Sequence, residues 1–201
     1  MRLSALLDAA PGVVAQPARD VEVTAPVVED SRQLEPGGVF VARSGGSADG
    51  HRFIEAAVAA GAAAVVGEKP AEAVGRLGVP YAQVRDGLAA LPWLSAAYYG
   101  FPARQLVMVG VTGTDGKTTT SHLIFHILRA AGLRVGLIST LKAVIGDTEA
   151  DTGLHVTTPP APEVQAYLAR MVAAGLTHCV LGRPATGWRN TGSMPVTSTW
   201  R

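Results

Sequence analysis

The order of apolar runs along the chain predicts an α/β fold built on mostly parallel sheets. Three observations carry this. Short apolar runs of strand length alternate with Ala-rich or amphipathic runs of helix length. Gly and Pro punctuate the joins, as at Pro11-Gly12, Pro36-Gly37 and Gly132. Apolar residues make up 48% of the 201 residues and charged residues 16%, enough for a packed core and too little charge for a disordered chain.

The elements follow in order. Leu3 to Ala9 reads as a short helix, stopped by Pro11-Gly12. Val21 to Val28 alternates in part and suits a strand, and residues 37–43 suit a second. Residues 44–50, rich in Gly and Ser, read as a loop. Phe53 to Ala60 is an Ala-rich helix ended by Gly61. Ala62 to Val66 and Tyr81 to Val84 are strand candidates, and Leu88 to Tyr99 is a helix. Gly100, Phe101 and Pro102 interrupt the pattern, so a first domain is expected over residues 1–102. The second, over 103–181, opens with the strand Leu106 to Val111, the loop Thr112 to Gly116 and a helix from Lys117 to Ala131. Val135 to Ser139 is the next strand, and residues 143–153 suit a polar hairpin. Pro162 to Ala174 is a helix with Gly175 beyond its end, and Leu176 to Leu181 is the last apolar strand.

Composition excludes several classes of function. The 17 basic and 16 acidic side chains leave a formal charge of +1, which gives no excess positive charge for nucleic acid. No uncharged run reaches the roughly 20 residues of a bilayer span, and the Ala-rich run from Ala56 to Gly67 has 12. Cys179 is the sole cysteine, so neither an intrachain disulfide framework nor a Cys-rich zinc module can form. A cytoplasmic, monomeric protein with small-molecule partners is expected.

The sharpest chemical signal is the run Gly113, Thr114, Asp115, Gly116, Lys117, Thr118, Thr119 between an apolar strand and a helix. This is the context of a phosphate-binding loop. Glycines let backbone N–H groups approach phosphate, and the helix N-terminus adds partial positive charge. Lys117 suits the β/γ-phosphates and the Thr118 hydroxyl suits Mg²⁺. The common spacing would put its first Gly at position 111, which is Val111, with Gly110 and Gly113 on either side.

With that variant spacing, VGVTGTDGKTTT resembles the ATP loop of the Mur ligases, amide-bond ligases of peptidoglycan synthesis. Residues 30–66, residues 94–120 and HVTTPPAPEVQAYL at 155–168 resemble the branch that acts on UDP-N-acetylmuramoyl-L-alanyl-D-glutamate, the MurE type. The resemblance covers about residues 28 to 181. It implies a UDP-sugar-binding N-terminal domain and the first part of a P-loop ATPase-type central domain. It also implies ATP and Mg²⁺ as cofactors, with UDP-MurNAc-L-Ala-D-Glu and a free amino acid as substrates. Its residue roles are Gly113 through Thr119 on ATP, Lys117 as catalytic cation and Thr118 on the metal. Ser31 and the loop Gly46, Ser47, Ala48 would hold the UDP-sugar, and Thr157 and Thr158 the muramoyl-dipeptide. Two positions depart from the family pattern: Asp115 stands where Asn is more usual, and Val156 where Asn is frequent.

Other polar residues have simpler readings. His122 and His126 lie one helical turn apart, but without a nearby third ligand they read as a helix face. His51 and His155 fall in expected loops with no assigned role, and Cys179 reads as a small core residue. Asp147 and Glu149 read as a solvated turn.

The segment 182–201 differs in kind. It has three Arg, two of the three Trp and no acidic residue, with neither strand nor helix period. The family pattern would continue after Leu181 with a metal-holding Glu and a Ser-His-Gly stretch, where this chain has Gly182. Inserting one base into a back-translation of the segment restores such a continuation, so it is expected to be a frame-shifted, non-family tail, the alternative being a short form with a C-terminal tail of its own. The expected consequence is a 201-residue chain with weak or undetectable nucleotide binding and no amide-bond formation.

Overall fold

The computed structural model describes residues 1–45, 49–139, 142–146, 148–151 and 159–184. The chain divides into two compact units, Met1–Tyr98 and Tyr99–Arg201, each with its own sheet.

The first unit runs α1 (Leu3–Ala9), β1 (Val13–Ala15), β2 (Val27–Val28), β3 (Val39–Ala42), α2 (Ile54–Ala59), β4 (Ala64–Gly67), α3 (Ala71–Val74), β5 (Tyr81–Val84) and α4 (Gly87–Tyr98). The sheet order is β1-β5-β4-β3-β2, with β2 to β5 parallel and β1 antiparallel on β5. All four residues of β3 and of β4 are buried, as strands covered on both faces require. Phe40, Ile54, Ala57, Ala62 and Val65 form one core between β3, β4 and α2. Leu3, Leu6 and Leu7 bury one face of α1.

The second unit runs β6 (Val107–Gly113), α5 (Lys117–Ala130), β7 (Val135–Ile138), β8 (Lys142–Ile145), β9 (Thr148–Asp151), α6 (Ala161–Ala173) and β10 (His178–Pro184). The order is β6-β10-β7-β8-β9, with β6, β10 and β7 parallel and β8 and β9 forming an antiparallel hairpin. Alternation along β10 divides the two cores. Cys179 and Leu181 pack with Val164, Leu168 and Met171 of α6. Val180 packs with Phe125 of α5 on the other face.

Two expected strands are corrected. Val21 to Val28 contributes only Val27 and Val28 to the sheet. Pro26 has no N–H to give to a ladder, and residues 21–23 bond back to the N-terminus, with Leu3 N–H on Val21 and Val23 N–H on Met1. The last strand begins at His178 rather than Leu176 and extends to Pro184, three residues into the segment expected to be foreign. Gly182, Arg183 and Pro184 pair in register with Val111, Thr112 and Gly113. Parallel pairing uses backbone groups, so side-chain pattern does not limit it, and a proline is tolerated where the strand ends.

Candidate functional site

The phosphate-loop candidate is built by β6, a three-residue loop and α5. Gly113 ends β6, and Gly116 precedes the helix with φ 74°, a left-handed conformation that a side chain would strain. The first turn of α5 has N–H groups without intrahelical partners, as every helix start does, and no acidic residue in that turn to compete for them. Lys117 folds back into the loop, its Nζ donating to the carbonyls of Gly113 at 2.7 Å and Thr114 at 2.8 Å. Thr118 and Thr119 follow on the first turn of α5, and the Thr118 carbonyl accepts from His122 Nδ1 at 2.8 Å. His122 is thereby engaged with its own helix, and His126 stacks edge-on against Phe125. Among the described residues no group of three His, Cys, Asp or Glu could hold a metal alone. Mg²⁺ commonly keeps its waters and takes one or two protein oxygens beside the oxygens of a phosphate chain. Thr118 and the loop fit that mode, and a nucleotide triphosphate fits the loop's N–H groups and ammonium.

Gly182, where the resemblance expects a Glu, lies on β10 beside Val111 of the loop strand. A Cβ there would stand 3.1 Å from the buried Oγ of Ser121, on the inner face of α5.

The second candidate lies at the carboxyl ends of β2, β3 and β4, the edge at which open parallel sheets bind ligands. Ser31 opens a 3₁₀ turn, Ser31–Gln33, after β2. Asp30 caps the turn by accepting from Arg32 N–H at 3.0 Å and takes the Arg32 guanidinium through Nε and Nη2, at 2.9 and 2.6 Å. The Arg32 side chain and backbone N–H hold the Asp30 carboxyl below its usual range. After β3, Arg43 pairs with Glu29 at 2.6 Å, and a bridge between Ser44 and Asp49 closes the next loop. Gly46, Ser47, Ala48, Thr157 and Thr158 lie outside the described residues, as do His155, Val156 and Asp147. Glu149, expected in the same solvated turn, pairs with Lys142 at 2.6 Å.

Four residues at this edge, Glu29, Arg43, Glu68 and Lys69, carry no motif and were not indicated by the sequence. Glu68 follows β4 and accepts from the Ser44 N–H at 2.9 Å and the Gly87 N–H at 2.8 Å. Lys69 pairs with Asp49 at 2.7 Å. Lys69 first, then His51, hold the Asp49 carboxyl well below its usual range. Burial, reinforced by Glu68, pushes the Tyr81 hydroxyl up to about 12.

Comparison with known proteins decides the family. The model of the Mur ligase family, catalytic domain, matches residues 27–99, and that of the Mur ligase middle domain matches residues 111–182. The chain belongs to the Mur ligase family. A UDP-N-acetylmuramyl-tripeptide synthetase of Deinococcus radiodurans is 48% identical over 185 residues, 90% of this chain and 37% of that protein. A UDP-N-acetylmuramoyl-L-alanyl-D-glutamate--2,6-diaminopimelate ligase of Cytophaga hutchinsonii is 42% identical over 81% of this chain and 33% of its own length. A solved structure of a ligase of the latter name superposes with a TM-score of 0.62 at 25% identity, over 83% of this chain and 33% of that one. A Thermotoga maritima MurF ligase in complex with ADP gives 0.51 at 25% identity, over 81% of this chain and 33% of that one. The chain thus spans about a third of the length of these Mur ligases. Among the described residues no helix is long and apolar enough to cross a membrane.

Proposed function

We propose that the chain supplies the UDP-sugar-binding and nucleotide-binding parts of an ATP-dependent ligase that adds the third residue of the peptidoglycan stem peptide. The observation that carries this reading is the Lys117 ammonium seated inside a strand–loop–helix phosphate cradle. It stands in a chain 48% identical to a tripeptide synthetase across both units.

In this reading the γ-phosphoryl group of ATP passes to the D-Glu carboxylate of UDP-MurNAc-L-Ala-D-Glu, leaving ADP and an acyl phosphate. The amine of the incoming amino acid then attacks the acyl carbon, phosphate leaves, and the amine loses a proton. Lys117 leaves its loop carbonyls and neutralises charge on the transferring group, while the N–H groups of the first turn of α5 orient the phosphate chain. Thr118 would hold Mg²⁺, which supplies further neutralisation of the phosphate oxygens. Ser31, Gly46, Ser47 and Ala48 bind the UDP-sugar, and Thr157 and Thr158 the muramoyl-dipeptide. For the 201 residues by themselves the proposal is narrower: ligand binding without amide-bond formation, because the resemblance assigns amino-acid binding to the part of the relatives that this chain does not match.

Isothermal titration of the protein with UDP-MurNAc-L-Ala-D-Glu, and separately with Mg²⁺ and a non-hydrolysable ATP analogue, tests the reading. Both ligands are expected to bind, the nucleotide more weakly, with Lys117→Met removing nucleotide binding alone. A protein that takes up neither ligand would refute it.

A further inference from the structure

The strongest unexplained feature of the first unit is the set of bonds around the dipeptide Glu68-Lys69. All four of its backbone polar groups are held by side chains from elsewhere in the unit. The N–H groups of Glu68 and Lys69 both donate to His51 Nε2, at 3.0 and 3.3 Å. The Glu68 carbonyl accepts from Gln83 Nε2 at 3.3 Å, and the Lys69 carbonyl from the Tyr81 hydroxyl at 2.6 Å. Backbone groups of a surface turn have water available, so this arrangement is not needed to avoid unpaired groups. Its effect is to fix a turn.

His51 is the hinge-pin of the set. Its side chain is 4% exposed. Because Nε2 accepts from two N–H groups it carries no proton, so Nδ1 carries it and donates to Asp49 Oδ1 at 2.6 Å. The other Asp49 oxygen accepts from Lys69 Nζ at 2.7 Å. The carboxylate of Glu68, fixed by this anchoring, clamps the N–H of Ser44 on one side and of Gly87 on the other. Gly67 is part of the fit: a Cβ there would stand 2.5 Å from the Tyr81 hydroxyl and 3.1 Å from His51 Nε2.

The geometry points to His51, acting with Asp49 and Glu68, as a positioning residue for UDP-sugar binding. It holds Ser44 through the Glu68 carboxylate and Asp49 through its own ring, at the carboxyl ends of β3 and β4 where open parallel sheets bind ligands. The inference deepens the proposed function and rests on its UDP-sugar reading. It assigns His51 no contact with ligand, since both ring nitrogens are already engaged.

The test is titration of wild-type, His51→Ala, His51→Gln and Glu68→Gln proteins with UDP-MurNAc-L-Ala-D-Glu and with Mg²⁺ and a non-hydrolysable ATP analogue, alongside thermal melting. Gln at 51 restores an acceptor for the Glu68 and Lys69 N–H groups. Gln at 68 keeps the size of Glu but turns an amide donor toward one of the two N–H groups. His51→Ala and Glu68→Gln are expected to raise the UDP-sugar Kd about tenfold, the equivalent of one lost hydrogen bond. His51→Gln should remain within about threefold of wild type, and the nucleotide Kd within about twofold in all variants. Should His51→Ala fail to fold, Glu68→Gln decides alone. Unchanged UDP-sugar affinity in the folded variants, or an equal loss for both ligands, overturns the inference while the proposed function stands. A wild-type protein that does not bind the UDP-sugar overturns both.

Discussion

The ammonium of Lys117 is hydrogen-bonded to the carbonyl of Gly113, four residues earlier in the chain, at 2.7 Å. A cation that would meet a phosphate chain is thus parked inside its own loop. Since the loop is exposed and the bonds are local, replacing the lysine should cost little stability. Lys117→Met is expected to weaken nucleotide binding by about 100-fold or more and leave the melting temperature close to wild type. Titration with Mg²⁺ and an ATP analogue, paired with thermal melting, checks both halves.

Asp115, exposed in the same loop as Lys117, brings a negative charge to the place proposed for a phosphate chain. A carboxylate about 6 Å from a phosphate in water costs about 0.7 kcal/mol per charge pair. Divalent cation offsets that cost and Asn removes it. Asp115→Asn should therefore tighten binding of metal-free ATP by about threefold and change binding of the Mg²⁺ complex less. Parallel titrations in excess chelator and in excess Mg²⁺ measure the ratio, and an unchanged ratio would contradict the electrostatic role.

Asp49 makes the stability of the first unit sensitive to acid. Its carboxyl titrates well below the ordinary value of 3.8 because of Lys69 and His51. The unfolded chain therefore binds a proton near pH 4 that the folded chain still refuses, so this contribution is complete above that pH and is lost as pH falls further. Melting temperatures measured from pH 6 down to pH 3 should fall less steeply for Asp49→Asn than for wild type. Parallel curves would show that the pair contributes nothing.

What the sequence made legible was local. Lys117, Thr118 and the glycines lie within seven residues between a strand and a helix, so backbone geometry follows from the order of residue types. The β8–β9 hairpin was legible for the same reason. The bonds of Glu68 were not: its partners are 24 residues away at Ser44 and 19 away at Gly87, and nothing in its own neighbourhood marks it. His51 reads in the sequence only as a loop histidine, and its partners at Glu68 and Lys69 come together only when β3 and β4 pair. The overlong strand at Val21 to Val28 shows the converse. Its apolar alternation was real, while Pro26 and the pull of the N-terminus decided the pairing. Likewise β10 runs past the last apolar residue because its ladder with β6 continues through backbone groups alone.

Gly50 tests the base of the 44–49 loop by shape. Its N–H donates to the Arg43 carbonyl at 2.9 Å, and a Cβ there would stand 2.8 Å from that oxygen and 3.0 Å from the Arg43 nitrogen. Both are backbone atoms of a residue adjoining β3 and cannot swing away. Gly50→Ala should destabilise the protein by about 1–3 kcal/mol, read from urea unfolding. A midpoint equal to that of wild type would mean the loop base gives way more easily than its bonds suggest.

The role proposed for residues 1–181 is to supply the UDP-sugar-binding and ATP-binding parts of a third-residue ligase. It is tested most directly by joining residues 1–181 to the remaining part of the Deinococcus radiodurans tripeptide synthetase, 48% identical over the shared region. The chimaera is incubated with ATP, Mg²⁺, UDP-MurNAc-L-Ala-D-Glu and, in turn, meso-diaminopimelate, lysine and ornithine, with mass spectrometry of the UDP-linked product. The expected result is a product heavier by one amino-acid residue, formed with one ADP and abolished by Lys117→Met. A folded chimaera that makes no such product under conditions where the parent synthetase does, or that makes it equally well without Lys117, would rule out this role for residues 1–181.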